Sequence, residues 1–473
     1  MNPNPSDAGA PTAADALRFW FKLGCISFGG PAGQIALMHR ELVEQRRWIS
    51  ERRFLHALNY CMLLPGPEAQ QLATYLGWLM HRTWGGVAAG VLFVLPSLLL
   101  LIGLSWAYLA FGHLSWMAAV LWGIKPAVAA LVLHAVQRMG SRTLHTPRRA
   151  PLLWAIAVLS FLAVALLQVP FPVVVIAAAL TGALGQRRWP GQFGAASAHA
   201  ASPVTAARAP IAYANTCAPV GPVSVAPRVA AWIDDDTPPP AHARFTPVRL
   251  ARVVAAGAAL WLLPMAVLVA AWGWDGTLAQ MAWFFTKAAL LTFGGAYAVL
   301  PYVYQGAVEH FGWLSAAQMM DGLALGETTP GPLIIVVAFV GFVGGWGQAV
   351  LGPQALFWGA ALAATVVTWF TFLPSFIFIL AGGPFIESTH GKLQFTAPLS
   401  AITAAVVGVM ASLAVFFVDH VARPGGASGP LDVAALGLVL AAAWALLHKK
   451  WGVVPVIGGC ALAGLVVRLV VQA

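Results

Sequence analysis

The chain has 473 residues, of which 60% are hydrophobic and only 9% charged, with a mean hydropathy of +0.79. A soluble domain carries about 25% charged residues, so this composition excludes a soluble globular fold. The formal net charge of +10 then reads as basic loops holding the cytoplasmic side of a membrane, with no nucleic-acid partner.

The first residues are rich in Pro and Ala and carry Asp7. They read as a disordered N-terminus (1–14) and not as a cleavable signal, because no A-x-A-like site follows a short apolar core. A first transmembrane repeat is expected over 15–186. Its opening helix is interrupted by "SFGGPAGQ" at 27–34, where each glycine weakens a helix by about 1 kcal/mol relative to alanine. A basic amphipathic stretch, "HRELVEQRRWISERR", brings Arg40, Arg46, Arg47, Arg52 and Arg53. A second break, "PGPEAQQL", begins at Pro65. Its flanks, 54–64 and 69–80, are each shorter than the ~20 residues a bilayer span needs. They are half-helices of a broken span or arms of a re-entrant hairpin. Apolar runs at 87–110, 152–169 and 172–184 read as further helices.

Residues 187–250 are rich in Ala, Pro, Ser and Arg, include "DDDTPPPAHAR" and lack helical periodicity. They read as a flexible linker on the cytoplasmic side. A second transmembrane repeat is expected over 251–473, with apolar runs at 357–380, 397–417 and 431–447. A shift of 265 positions lays Phe19 on Phe284, Lys22 on Lys287, and the triplet at Phe28 on that at Phe293. The same shift lays Glu44 on Glu309, Trp48 on Trp313, Ser50 on Ser315, and the PGP at Pro65 on that at Pro330. Further along, "LPS" ending at Ser97 finds its mate ending at Ser375. The fold class is therefore an all-α polytopic membrane protein of two homologous repeats with broken or re-entrant helices. The second repeat's version of the arginine-rich stretch, "YQGAVEHFGWLSAAQ", has no Lys or Arg. Since basic loops stay in the cytoplasm, that contrast predicts that the two repeats are inverted.

Breaks at that depth are tolerated where the backbone lines a cavity or is buried in protein. A dianion in a bilayer needs donors already in place, and helix N-termini supply unpaired N–H groups and a positive dipole end. Pro31 and Pro67 suit the first position of a fresh helix. The candidate binding residues cluster at the four breaks. In the first repeat they are Phe28, Gly29, Gly30, Pro31 and Gln34, then Pro65, Gly66, Pro67, Gln70 and Gln71. In the second they are Phe293, Gly294, Gly295 and Tyr297, then Thr328, Thr329, Pro330, Gly331 and Pro332. A plain kink for helix packing is the alternative reading of the same glycines and prolines. Ionisable groups in apolar runs are functional candidates. Lys22, Lys125 and Lys287 could offer charge to an anion, the first and last of these alternatively snorkelling to the interface. Glu68 and Glu327, with Arg40 and Glu41, are candidates for a coupling ion or an ion pair.

The paired FGG and PGP elements, the basic segment between them and the duplicated long chain together resemble the chromate ion transporter family. That resemblance implies a multi-pass protein of the bacterial plasma membrane that exports chromate, a tetrahedral dianion like sulfate, by secondary active transport. It covers nearly the whole chain except the linker and the extreme N-terminus. Sulfate or another inorganic oxyanion is the nearest alternative substrate, and a homodimer is compatible with the sequence. A membrane-bound reductase or a sensor is the rival from another class. No redox-cofactor motif, P-loop, G-x-S-x-G or H-E-x-x-H is present, and the four cysteines form no C-x-x-C pair. The expectation is thus no enzyme, no cofactor and no metal site.

Overall fold

The structure, a computed structural model, describes residues 11–188, 231–388, 396–424 and 429–472, apart from 29, 145, 149, 236 and 239. Most of the extreme N-terminus and much of the linker, 189–230, lie outside the described residues. What is described is helical, with an isolated bridge between Ile49 and Ile233.

Each repeat opens with two antiparallel hairpins. In the first repeat, α1 (Ala13–Ile26) leads to the FGG break, and α2 (Gly30–His39) leads away into a π-helical turn at Arg40–Gln45. There the chain comes back beside its start, with the Phe19 and Trp48 rings 5.7 Å apart and the Arg46 guanidinium over both. Next, α3 (Glu51–Leu63), capped by Ser50, runs to the PGP triplet and α4 (Glu68–Phe111) runs back. Tyr60 of α3 meets Tyr75 of α4 at 5.7 Å between ring centroids. The break flanks therefore fold back on each other as the arms of helical hairpins.

The second repeat repeats this almost residue for residue. α9 (Thr277–Leu291) ends at the FGG break, and α10 (Leu300–Tyr304) passes into a π-helical turn at Gln305–His310. α11 (Ala316–Thr328), capped by Ser315, runs to the second PGP. α12 (Val336–Gly347) returns with the Phe339 ring against Gly322 and Val336 against Gly326. Phe284 stacks on Tyr302 at 4.7 Å across the FGG hairpin. The agreement extends to single bonds: Trp48 N–H donates to Leu42 O and Trp313 N–H to Ala307 O, each at 2.8 Å.

At His81 and Arg82 the backbone of α4 leaves helical geometry. The helix beyond it doubles back, so that Gly77 faces Gly85 and Gly86 faces Trp78. It ends with Tyr108 beside Asp321, near the base of the second repeat's PGP hairpin. Its mate, α13 (Leu356–Ser388), starts beyond α12 and ends with Glu387 paired to Arg53, at the base of the first repeat's PGP hairpin. At 1.5 Å per residue, a helix of that length reaches about 50 Å. The remaining helices are α5 (Ser115–Thr143), α6 (Pro151–Leu167) and α7 (Phe171–Arg188), matched by α14 (Thr396–Ala422), α15 (Val433–Leu447) and α16 (Val453–Gln472). They pack crosswise: α5 lies on α15 and α16, while α14 lies on α6 and α7. Small residues allow this close approach. Gly123 and Gly464 face each other's backbones, and Gly408 sits on Ala157 O.

Two features lie between the repeats. α8 (Pro247–Trp272) precedes the second repeat and has no counterpart in the first. It is one of five described helices long and apolar enough to cross a bilayer, with α4, α5, α13 and α14. Described residues at the end of the expected linker pack on the first repeat. The described residues of 231–243 form a strap across the bases of the first repeat's hairpins, where the N–H groups of Trp232 and Ile233 donate to Arg47 O and Trp48 O, at 3.0 and 3.1 Å. Ser50 Oγ donates to Asp235 at 2.6 Å, Arg53 donates to Thr237 O, and the His242 ring meets Trp78 O at 2.9 Å. Burial holds that imidazole below its ordinary pKa range.

Candidate substrate site at the hairpin tips

The four hairpin tips meet in two reciprocal crossings. Gly66 N–H, in the first PGP, donates to Thr292 O beside the second FGG; Gly331 N–H, in the second PGP, donates to Ser27 O beside the first FGG. Both bonds measure 2.8 Å. Each crossing is thus built from one tip of each repeat.

The glycines at these tips do two different things. All four have left-handed φ, +71° at Gly30, +102° at Gly295, +126° at Gly66 and +98° at Gly331, which suits glycine because it lacks a Cβ. At the PGP tips the space is filled. A Cβ on Gly66 would overlap Ser375 Oγ and lie 2.7 Å from Gln71 Nε2, and one on Gly331 would overlap Ser97 Oγ. Ser97 Oγ donates to Pro330 O at 2.5 Å. At the FGG tips the space is open. A Cβ on Gly30 would meet nothing within 4 Å, and one on Gly295 only Glu68 Oε1, at 3.8 Å. Side chains thus fill the space beside the PGP glycines. The FGG glycines leave room for a ligand to reach the backbone. Gly29 lies outside the described residues.

The neutral donors expected at the site hold the tips together instead. Gln34 Nε2 donates to Ser27 O at 3.3 Å and to Gly331 O, and Gln71 Nε2 donates to Pro65 O at 2.7 Å. Gln70 bonds Thr74, and the Thr328 and Thr329 hydroxyls donate to carbonyls of their own helix. Pro31 lies in the first turn of α2, while Pro67 and Pro332 cap the helical segments that begin at Glu68 and Leu333. Phe28 is exposed, and Phe293 packs on the main core.

The charged groups collect on one side. Glu68 lies by Gly295, and Tyr297 donates to Glu327 Oε1 at 2.5 Å. Arg138 of α5 acts electrostatically on Glu68, Tyr297 and Glu327, and Arg142 acts on Glu68. Thr403 of α14 lies against Gly294. The first repeat holds Met62 and Ala32 opposite Glu327 and Tyr297, and the second holds Leu333 opposite Glu68, so this chemistry belongs to places where the repeats differ. Five expected residues are not at the tips. Lys22, Lys287 and Arg40 are exposed, with Lys287 Nζ 5.7 Å from the Trp283 ring centroid. Glu41 pairs with Arg46 at 3.4 Å. Lys125 acts on Asp321 and His420 instead.

Sequence reasoning missed Ser97, Ser375, Arg138 and Thr403. The serines carried a signal, since both close the repeated LPS triplet. Arg138 carried none, because an arginine near a helix end reads as an interfacial anchor.

No solved structure matches the chain. A chromate transport protein of Pseudomonas aeruginosa is 32% identical over 94% of this chain and 90% of its own length. One of Cupriavidus metallidurans is 28% identical over 96% of this chain and 93% of its own. A probable chromate transport protein of Synechococcus elongatus is 29% identical over 84% and 82%. The chromate transporter family matches residues 14–183 and 279–465, both repeats without the strap or α8. With its duplicated hairpins and apolar helices, this multi-pass membrane protein belongs to the chromate transporter family.

Proposed function

We propose that this protein exports chromate from the bacterial cytoplasm by secondary active transport, and so confers chromate resistance. The observation that carries the reading is the pair of open FGG tips, at Gly30 and Gly295, set where helices begin. Backbone N–H groups and positive dipole ends at such a place favour a dianion, and Arg138 adds a full charge close by. Glu68 and Glu327 raise the energy of a bound anion unless protonated or paired, which provides a means of release.

Alternating access fits two repeats entering from opposite faces. Three features support that inversion. The second part of α4 and α5 make two crossings, and α6 with α7 forms a hairpin, so each repeat ends on the face where it began. α8 then crosses once, which delivers the second repeat to the other face. The far ends of α4 and α13 also reach the bases of the opposite repeat's hairpins. The arginine-rich base belongs in the cytoplasm, and the strap with it. Cysteines placed at Arg47 and Gly312, both exposed, are expected to react with an impermeant thiol reagent from opposite sides. Labelling of both from one side would refute inversion.

The transport reading is tested with everted membrane vesicles. Labelled chromate is expected to accumulate under an imposed pH gradient, more than in vesicles lacking the protein, and Gly30→Leu is expected to abolish it in folded protein. Equal accumulation with and without the protein would end the proposal. Unlabelled sulfate that abolishes uptake already at low molar ratios to chromate would make sulfate the substrate.

A further inference from the structure

Away from the tips, α11 carries a second carboxylate that the substrate site does not use. Asp321 is 3% exposed and sits six residues before Glu327, about 9 Å along the helix. Its Oδ2 accepts a hydrogen bond from Tyr108 of α4 at 3.0 Å. Among the described residues its buried Oδ1 has no hydrogen-bond partner, nor has the buried hydroxyl of Ser105, one turn before Tyr108. An unsatisfied carboxylate this deep costs several kcal/mol unless it is compensated. The matching end of the other repeat is fully compensated: Glu387 takes an ion pair from Arg53 at 2.9 Å and a hydrogen bond from Tyr75 at 2.5 Å. A structural carboxylate could have been completed in the same way at Asp321, and among the described residues it is not.

We propose that Asp321 is the proton-binding site through which this transporter couples anion export to the proton gradient. The proposal rests on the transport reading above and names the coupling ion and its residue. The groups facing Asp321 are few. Tyr108 comes from α4 and Lys125 from α5. The turn at Leu333–Ile335 and α12 carry no ionisable side chain. On α16, Cys460 packs among Ala127, Ala130 and Leu131 of α5, and the Arg468 side chain is outside the described residues. Lys125 and Asp419 act electrostatically on His420 of α14. Lys125 selects a proton over a metal cation. A sodium ion needs a shell of oxygens and is repelled by an ammonium, whereas a proton needs one oxygen. In the cycle a proton entering from the α11 base forms one O–H bond on Asp321. That bond breaks as the proton passes inward, along α11 toward Glu327, and nothing else is consumed.

The test uses purified full-length protein in liposomes, with chromate exchange and pH-driven accumulation measured on the same preparation. For Asp321→Asn, exchange of internal for external chromate is expected to persist, while accumulation driven by the pH gradient falls to that of empty liposomes. Asp321→Glu is expected to recover accumulation in part, and Tyr108→Phe to keep it with a shifted pH profile. Accumulation unchanged in Asp321→Asn overturns the proposal. So does loss of exchange together with accumulation in folded protein, or accumulation driven by sodium and not by protons. If the wild-type protein moves no chromate at all, the transport reading fails, and infrared difference spectra across a pH jump still decide this site. A protonated-carboxyl stretch present in wild type and missing in Asp321→Asn supports it; identical spectra overturn it.

Discussion

The two repeats share a backbone and differ in what ties them down. At the base of the first repeat's PGP hairpin, Arg53, Glu387, Tyr75 and the strap form a closed network. At the equivalent base of the second, a single hydrogen bond joins Tyr108 to Asp321. Duplication supplied the hairpins, and divergence decided which end is braced and which carries a spare buried charge. A braced end resists motion, while an under-satisfied polar group marks where two states can lie close in energy.

The largest effect is expected from breaking the brace. Arg53→Met strands a buried glutamate, a change that destabilises proteins by about 3–5 kcal/mol. Thermal unfolding in detergent should drop sharply, and the double change Arg53→Met with Glu387→Met should recover much of the loss. If Asp321→Asn lowers stability as much as Arg53→Met, the two ends are equivalent and the contrast fails.

A smaller effect separates the two kinds of tip. Gly331→Ala drives a methyl into Ser97, and overpacking costs about 1–3 kcal/mol. Gly30→Ala meets no atom within 4 Å and bears only the left-handed strain of about 1–2 kcal/mol. Ser97→Gly should rescue folded yield for Gly331→Ala, whereas the Gly30 variant should fold yet bind chromate more weakly. Equal loss of folded protein in both, without rescue, would mean that all four glycines serve packing alone.

The smallest effect concerns the strap. With its folded pKa depressed by burial, His242 takes up protons more readily when the strap is undocked. Docking is therefore fully stable above the ordinary His range and weakens as pH falls below about 6.5. Hydrogen exchange at the N–H groups of Trp232 and Ile233 should quicken on acidification in wild type and lose that dependence in His242→Gln. Protection that is flat with pH in wild type would detach His242 from the strap.

Much of the architecture was legible because its causes are local. Glycine and proline break helices wherever they stand, so FGG and PGP marked the tips, and the 265-residue shift paired elements down to their serine caps. The candidate site was legible in part. Glu68 and Glu327 were named from charge in an apolar context and Tyr297 from its place after the second FGG, and the three gather by that tip. Lys22 and Lys287 were named on the same ground and lie exposed, because which side of a helix faces inward depends on its neighbours.

By itself, the sequence determined that this is a two-repeat membrane protein whose helices break at four marked places, since composition and backbone chemistry act residue by residue. Only the tertiary structure decided that each PGP crosses the FGG of the other repeat and that serines fill the PGP glycines while the FGG glycines stay open. It alone set Asp321 against Tyr108 and left Arg53 with Glu387. Those pairings join residues hundreds of positions apart, and close packing between helices, which no local pattern encodes, selects among them.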